Sequence, residues 1–421
     1  MMANWGYWSS KLEMLNIPHG TVVALEADFS PTSVAIFLAL IERDCIVVPL
    51  SNSVKQKHDE YMEIAKVQVL IKVDANGKAE PPQTFFIAGY PELYQKLHEE
   101  NHAGLVVFSS GSTGDSKAIV HDMTLLLKKF DVRRQGMKAI TFLLFDHLGG
   151  INTMMHLLAT GGCMIIPEER TPDHILNLIE EHKVELLPTS PTFLNMILVS
   201  EAYKRYNIES LKLITYGTEP MYQGTLNRFQ ELYPNIKLKQ TYGLSEIGVM
   251  GTKSQSSKSL WVKVGGDGYQ TRVVDDMLEI KAESAMLGYL NAPSPFTEDG
   301  WLITNDKVEV DGEYMLILGR ESDIINVGGE KVYPAEVESV IKEMGNIAEV
   351  TAYGEGNPLI GELVSVDVTL IDKTESLGSV TGRIRDYTKE RLAKYKRPMY
   401  VSIVDEHQHG ERFKKRCGAR K

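Results

Sequence analysis

Between residues 20 and 240, short runs of β-branched and other apolar residues alternate with segments of helical period. Strands are expected at 22–25, 45–50, 67–73, 104–108, 139–144, 163–166, 184–187 and 211–215, with helical patterns between them. Pro31 sits where the first turn of a helix accepts proline, so 32–42 reads as a helix. Residues 54–66 read as one polar, amphipathic helix. This alternation predicts an α/β domain with helices packed on sheets. After residue 250 the texture changes. Residues 254–259 form a polar Ser/Lys-rich loop, and 260–318 are rich in strands and turns. The short polar stretch 319–323 could join two domains. Beyond it come a β-α-β pattern over 331–369, a helix around 380–392 and a strand at 399–404. Neither an internal repeat nor a low-complexity segment is visible.

Composition narrows the class. A chain of 421 residues is too long for one ordinary core, so two or more domains are expected. The formal net charge of -11 argues against a general nucleic-acid binder, which would present a basic face. Cys45, Cys163 and Cys417 are odd in number, far apart and without a C-x-x-C pair. That disfavours a disulfide scaffold or a zinc cluster and favours a reducing, cytoplasmic setting. The first residues lack a basic and an apolar region, so no signal peptide is expected. No apolar run approaches the roughly 20 residues that span a bilayer. His98-Glu99-Glu100-Asn101-His102 has the form H-E-x-x-H, but its helix is ending and a third ligand is not evident. A solvated helix end is the expectation.

The sharpest local signal is Ser109-Ser110-Gly111-Ser112-Thr113-Gly114-Asp115-Ser116-Lys117, directly after a strand. Two glycines allow a tight turn that exposes N–H groups to an anion. Hydroxyls and a lysine add donors for phosphate oxygens. It is not a Walker A loop, and a plain Ser/Gly surface loop is the alternative. Four more segments follow in order. These are Tyr216-Gly217-Thr218-Glu219-Pro220, Gln240-Thr241-Tyr242-Gly243-Leu244-Ser245-Glu246, the stretch from Leu278 through Gly288-Tyr289 to Trp301-Leu302-Ile303-Thr304-Asn305-Asp306, and the long run from Gly319-Arg320 to Glu336-Val337-Glu338. A turn between strand and helix would use Gly217 and Pro220 equally well. Near the end stand Tyr395-Lys396-Arg397-Pro398 and the basic stretch Arg412-Phe413-Lys414-Lys415-Arg416.

Together these segments resemble the acyl-adenylate-forming superfamily of acyl- and aryl-CoA ligases, peptide-synthetase adenylation domains and luciferase. The similarity covers roughly residues 20–416. It implies an α/β fold: a large N-terminal adenylating domain of layered sheets and helices over 1–319, and a small mobile α+β lid over 320–421 with its hinge at 320–323. It also implies residue roles. Ser109 to Gly114 and Lys117 would hold the phosphates. Gly217, Thr218, Glu219 and Pro220 would lie along adenine, on which Tyr242 stacks, flanked by Thr241 and Gly243. Ser245 would contact the α-phosphate and Glu246 would hold Mg²⁺. Asp306 would bind the ribose hydroxyls and Arg320 the ribose or phosphate. Lys414, with Lys415 as fallback, would bridge the carboxylate and the nucleotide as catalytic lysine. Phe145-Asp146-His147-Leu148-Gly149-Gly150 resembles the segment lining the acyl pocket. There His147 either gates the thiol or is a helix-start histidine satisfied by backbone. Gly328 and Gly329 would admit a pantetheine arm.

The chain departs from the family pattern at Ser116 for proline, Ser245 for threonine, Asn305 for glycine, Ser322 at the hinge and Phe413 for glycine. Fewer residues precede the phosphate loop than is usual, so part of the N-terminal subdomain should be reduced. That would alter the acyl pocket or expose a surface for a homodimer. The implied activity is ATP- and Mg²⁺-dependent formation of an acyl-AMP from a small carboxylic acid. Transfer follows to coenzyme A or to the phosphopantetheine of an acyl carrier protein. The alternatives are an amino-acid-activating enzyme, with Asp146 as amine partner, and a degenerate nucleotide-binding protein.

Overall fold

A computed structural model describes residues 2–87, 89–110, 116–132, 134–358 and 361–405. The expected alternation is present, and it begins with an element the sequence reading did not pick out. The helix Met2–Met14 packs through buried Trp8 and Leu12 into the first core. The helix Pro31–Glu42 starts as its sequence dictates. Ser30 accepts from the Ser33 N–H at 3.0 Å, Ser33 returns the bond to the Ser30 N–H, and Pro31 occupies the first turn, where its missing N–H costs nothing.

The first sheet has seven strands. In space they run Gly288–Tyr289, Ser116–Asp122, Gly104–Ser110, Ile46–Leu50, Val22–Glu26, Val69–Lys72 and Gln83–Thr84. Its centre is parallel, and Gly104–Ser110 and Ser116–Asp122 form an antiparallel hairpin. The second sheet is parallel, in the order Lys237–Gln240, Leu213–Tyr216, Leu186–Thr189, Lys138–Ile140, Cys163–Ile165. A third, antiparallel sheet of six strands spans Thr252–Ser254 to Tyr314–Arg320. After the 3-10 turn Glu321–Asp323, a separate core gathers Ile325, Val332, Val337, Ile341, Val366, Val368 and Ile384. It lies between the sheet of Ile325–Val327, Glu330–Val332, Ile347–Asn357, Gly361–Leu370 and Tyr400–Ile403 and the helices Pro334–Lys342 and Leu377–Lys389. Hydrogen bonds tie this smaller unit to the larger one, among them Tyr222 OH to Glu338 Oε2 (3.0 Å) and Asn195 Nδ2 to the Ala348 carbonyl (3.0 Å).

Two expectations need correction. Residues 54–66 are not one helix. A 3-10 turn over Asn52–Lys57 breaks at Val54 (φ -116, ψ 21) before the helix His58–Ile64. The buried His58 ring bonds the Ser51 carbonyl at 2.9 Å, which holds the chain back on itself. The strand expected over 139–144 ends at Ile140. Phe142, Leu144 and Phe145 are buried, yet they lie in an irregular segment. An apolar run reports burial, not dihedral angles. Among the described residues no helix is long and apolar enough to cross a membrane.

Candidate active site

Ligands of parallel sheets collect beyond the carboxyl ends of the strands, where no side chain of the strand itself closes the edge. In the second sheet three neighbouring strands end at Thr189, Tyr216 and Gln240. Thr189 Oγ1 and Gln240 Oε1 are buried there without a hydrogen-bond partner, as befits groups awaiting one. Beyond these ends the chain is drawn tight. Thr241 donates to the Tyr216 carbonyl from both its N–H (2.7 Å) and its hydroxyl (3.0 Å). A Cβ on Gly217 would fall 2.5 Å from Thr241 Oγ1 and 2.8 Å from the Thr241 carbonyl oxygen, so only glycine fits. Thr218 follows at φ +74, a left-handed conformation that a β-branched residue adopts only under constraint. Glu219 is turned away toward the helix Pro191–Val199, where its carboxylate accepts from the Thr192 N–H at 2.6 Å.

Tyr242 is almost buried among Ile247, Met250 and Val262, and its hydroxyl donates to Asp306 Oδ2 at 2.5 Å. Burial, then the Asp306 charge, hold the phenol well above its ordinary pKa. Asp306 and Arg320 face each other across adjacent strands, with Arg320 Nε 3.6 Å from Asp306 Oδ1. Asn305, at φ +60, makes the turn that aims Asp306, a conformation asparagine tolerates.

A second group lies on the Ser116–Asp122 strand. Alternation puts Lys117, Ile119 and His121 on one face. Lys117 Nζ lies 5.2 Å from the Tyr289 ring centroid, and the Tyr289 hydroxyl donates to Glu246 Oε1 at 2.8 Å. Burial and the Glu246 charge raise the Tyr289 phenol pKa, while Arg320 lowers it. Arg320 therefore acts on both tyrosines and joins the two groups. His121 is fully buried and bonds the Ser245 carbonyl through Nε2 at 2.6 Å. A carbonyl can only accept, so Nε2 carries the proton. Burial lowers this histidine to about 4, leaving it neutral. Gly243 pairs with Val249 in a short hairpin, leaving Ser245 and Glu246 at its tip.

On the opposite face Ser116 is buried. Its hydroxyl accepts from Lys57 Nζ at 3.0 Å and donates to Tyr61 at 3.3 Å. Asn291 clamps the same strand edge, bonding the Ser116 carbonyl and the Ala118 N–H. Ser109 and Ser110 close the hairpin opposite Lys117 and Ser116. Gly111, Ser112, Thr113 and Gly114, and Lys414 with Lys415, lie outside the described residues.

His147 is a helix cap. Its Nδ1 accepts from the Gly149 N–H at 3.0 Å at the start of the helix Leu148–Thr160, which is the backbone-satisfied alternative. Buried Asp146 and exposed Asp28 both act on the guanidinium of Arg170. The H-E-x-x-H segment straddles a helix end, with Asn101 left-handed at the cap. There His102 Nδ1 meets Asp122 at 2.7 Å, and Asp122 in turn caps the next helix through Thr124 and Leu125. Tyr289 was quoted in a motif but given no role, and His121 and Lys57 had no signal in spacing or composition. Only the fold brings them to the site.

The parallel-sheet edge, the antiparallel pair Gly104–Ser110 and Ser116–Asp122 and the separate C-terminal unit define an adenylate-forming enzyme architecture. The chain belongs to the AMP-binding enzyme family: residues 8–290 match the family described as AMP-binding enzyme, and 336–414 match its C-terminal domain. It is 29% identical over 319 residues to a Mycobacterium tuberculosis 3-[(3aS,4S,7aS)-7a-methyl-1,5-dioxo-octahydro-1H-inden-4-yl]propanoyl:CoA ligase, covering 71% of this chain and 62% of that protein. It is 25% identical over 329 residues to indoleacetate–CoA ligase of Aromatoleum aromaticum, covering 72% and 63%. These matches thus span under two thirds of either curated relative. Among solved structures, an anthranilate CoA ligase in complex with anthranoyl-AMP superposes with a TM-score of 0.80 at 20% identity, covering 96% of this chain and 87% of that one. ATP-bound MatB from Rhodopseudomonas palustris superposes with 0.77 at 21%, covering 97% and 90%.

Proposed function

We propose that the chain activates a carboxylic acid with ATP as an acyl-AMP, releases pyrophosphate, and passes the acyl group to the thiol of coenzyme A. The observation that carries this reading is the convergence of Lys117, Ser245, Glu246, Tyr289, Asp306 and Arg320 from four distant segments, joined through Arg320.

A carboxylate oxygen attacks the α-phosphorus. The new C–O–P bond forms as the bond to the pyrophosphate oxygen breaks. What the protein must supply is alignment of two anions and compensation for the charge that builds on phosphorus. Asp306 accepts from the ribose hydroxyls in place of, or beside, Tyr242. Arg320 faces the sugar–phosphate junction. Ser245 donates to the α-phosphate, its loop held by the His121 bond to its carbonyl. Lys117 meets the departing phosphates and Lys414 closes over the reacting centre from the lid. Asp306 is engaged by Tyr242 and Arg320, and Glu246 is the carboxylate beside Lys117 and Tyr289, which suits Mg²⁺ held by one carboxylate plus phosphates. Bound there, the ion would neutralise phosphate charge.

The smaller unit acts as the lid, turning about Ser322 in the 3-10 turn Glu321–Asp323. Its rotation withdraws Lys414 and brings Gly328 and Gly329 toward the thiol. Both curated relatives named above are CoA ligases, which favours coenzyme A over carrier-protein phosphopantetheine. Asp146 shares its field with Arg170, so a substrate amine would compete with a fixed cation. That disfavours an amino-acid substrate.

The test is incubation with ATP, Mg²⁺ and a mixed acid library, with mass analysis of the acyl-AMP, followed by addition of coenzyme A. An acyl-AMP that converts to acyl-CoA supports the reading. ATP binding with no pyrophosphate exchange for any acid would instead indicate a non-catalytic nucleotide-binding protein.

A further inference from the structure

The strand Ser116–Asp122 sets where Lys117 points, and its first residue is held by a segment that no motif foretells. Successive side chains of a strand alternate, so Ser116 and Lys117 leave the backbone on opposite faces. Lys117 heads for Tyr289, whose hydroxyl holds Glu246. Ser116 points the other way and is buried. Its hydroxyl accepts from Lys57 Nζ at 3.0 Å and donates to the Tyr61 hydroxyl at 3.3 Å. Lys57 closes the 3-10 turn Asn52–Lys57, and its Nζ lies 5.9 Å from the Tyr61 ring centroid. Tyr61 is itself fixed. Its ring stacks on Phe108 with centroids 3.8 Å apart and 3° between planes, and Phe108 pairs with Ala118 in the hairpin. Asn291 grips the outer edge of the same strand through the Ser116 carbonyl and the Ala118 N–H.

We propose that Lys57 is a positioning residue for adenylation: through Ser116 it fixes the start of this strand, and with it the direction of Lys117. The proposal rests on the activation reading above and adds to it a residue from outside every motif. Ser110 opposite Ser116 is the end pair of the hairpin ladder among the described residues, and an end pair opens more easily than an interior one. A hydrogen bond from an ammonium is roughly twice as strong as a neutral one, which suits it to hold such an end. Where the family pattern has proline, the ring restricts φ and does the same work covalently. This strand accepts a proline at its first residue. Ser116 turns its carbonyl, and with it its N–H, to the Asn291 edge, so a ring there breaks no bond to Gly104–Ser110. Lys57 reaches no reacting atom in this arrangement. It acts on Lys117, whose displacement by about 1 Å can lower the rate by as much as 100-fold.

The experiment measures ATP–pyrophosphate exchange with an acid that wild type turns over, varying ATP and the acid in turn. Lys57→Met keeps the stem and removes the ammonium. It should lower kcat/KM for ATP by about 10- to 100-fold, with a raised KM for ATP and a KM for the acid within about twofold of wild type. In a Ser116→Pro background the same change should lower kcat/KM for ATP by less than about threefold, because the ring holds the strand without the lysine. A merely structural role would lower kcat, as active enzyme is lost, and leave both KM values alone. That outcome overturns the proposal, and so does an equal loss in the Ser116 and Ser116→Pro backgrounds. If Ser116→Pro does not fold, Ser116→Ala serves as the background. Lys57→Met should then have no further effect on the KM for ATP, and a second full rise overturns the proposal. If no acid supports exchange, the activation reading fails by itself. Calorimetric titration of ATP with Mg²⁺ onto wild type and Lys57→Met, which needs no turnover, then decides the role of Lys57. Binding about tenfold weaker in the variant supports it. Equal binding, or none to either protein, overturns it.

Discussion

His121 offers the most exacting test of the site's construction. It is fully buried, its Nε2–H is committed to the Ser245 carbonyl, and its Nδ1 is buried without a hydrogen-bond partner. A second proton would have to sit on Nδ1 with no acceptor beside it. Burial, assisted by the Lys129 charge, accordingly lowers the group from 6.5 to about 4. The sign follows. Between pH 6.5 and 4 the unfolded chain binds this proton and the folded chain refuses it, so folding stability falls as pH is lowered through that window. The full shift corresponds to about 3 kcal/mol, of which about 2 kcal/mol is lost by pH 5. In His121→Gln the amide can still donate to Ser245 but does not titrate. Urea unfolding of both proteins from pH 7.5 to 5 isolates the effect, because every other titrating group cancels in the difference. Wild type should lose about 2 kcal/mol relative to the variant. In the folded protein the ring stays neutral over this range, so the Nε2–H bond that anchors the Ser245 loop persists and His121 adds no pH dependence of its own to adenylation. A difference constant to within about 0.5 kcal/mol across that range would refute the neutral, orphaned histidine.

Glu246→Gln keeps an acceptor for the Tyr289 hydroxyl but removes the charge, so pyrophosphate exchange should fall about 100-fold, or about 3 kcal/mol, with the thermal midpoint unchanged. Lys414→Ala should abolish adenylation yet spare thioester formation from supplied acyl-AMP. If Lys415→Ala does this instead, the fallback lysine is the catalytic one, and equal loss of both half-reactions in both variants counts against either. Thr218→Gly should relieve the left-handed backbone and stabilise the protein by about 1 kcal/mol in urea unfolding, and destabilisation would show that the threonine side chain outweighs the strain.

The parallel core was legible because its signal is local. Buried strands such as Ile46–Leu50 are unbroken apolar runs, and the helix Pro31–Glu42 announces itself through Ser30, Pro31 and Ser33. Motif residues were legible because a tight turn or a close approach restricts the choice of side chain, as at Gly217. Tertiary partners were not. Nothing near His121 in the chain points to Ser245, 124 residues away, and nothing near Ser116 points to Lys57, 59 residues away. Boundaries failed where burial and dihedral preference part company, as over Phe142–Phe145, whose side chains enter the core from an irregular backbone. The form of a motif does not fix its geometry. In H-E-x-x-H the helix ends at Glu100, so His98 and His102 do not share a helical face.

The departures from the family pattern bear on whether the site is live or decayed. Decay leaves gaps, because a lost function no longer constrains what fills the space. The described departures leave none. Ser116, where proline is usual, is buried and bonded on both sides, so the hairpin exit is fixed by Lys57 and Tyr61 instead of by a ring. Asn305, where glycine is usual, holds φ +60 and still delivers Asp306 to Tyr242 and Arg320. Ser245 keeps its hydroxyl on a loop anchored by a buried histidine. Each replacement preserves a geometric duty with different atoms. Thr218 points the same way, since a β-branched residue held at φ +74 costs stability that a purely structural turn would shed. Costly geometry kept where the proposed nucleotide would lie, and rebuilt where the sequence has changed, is what the proposed activity requires and what decay would erode.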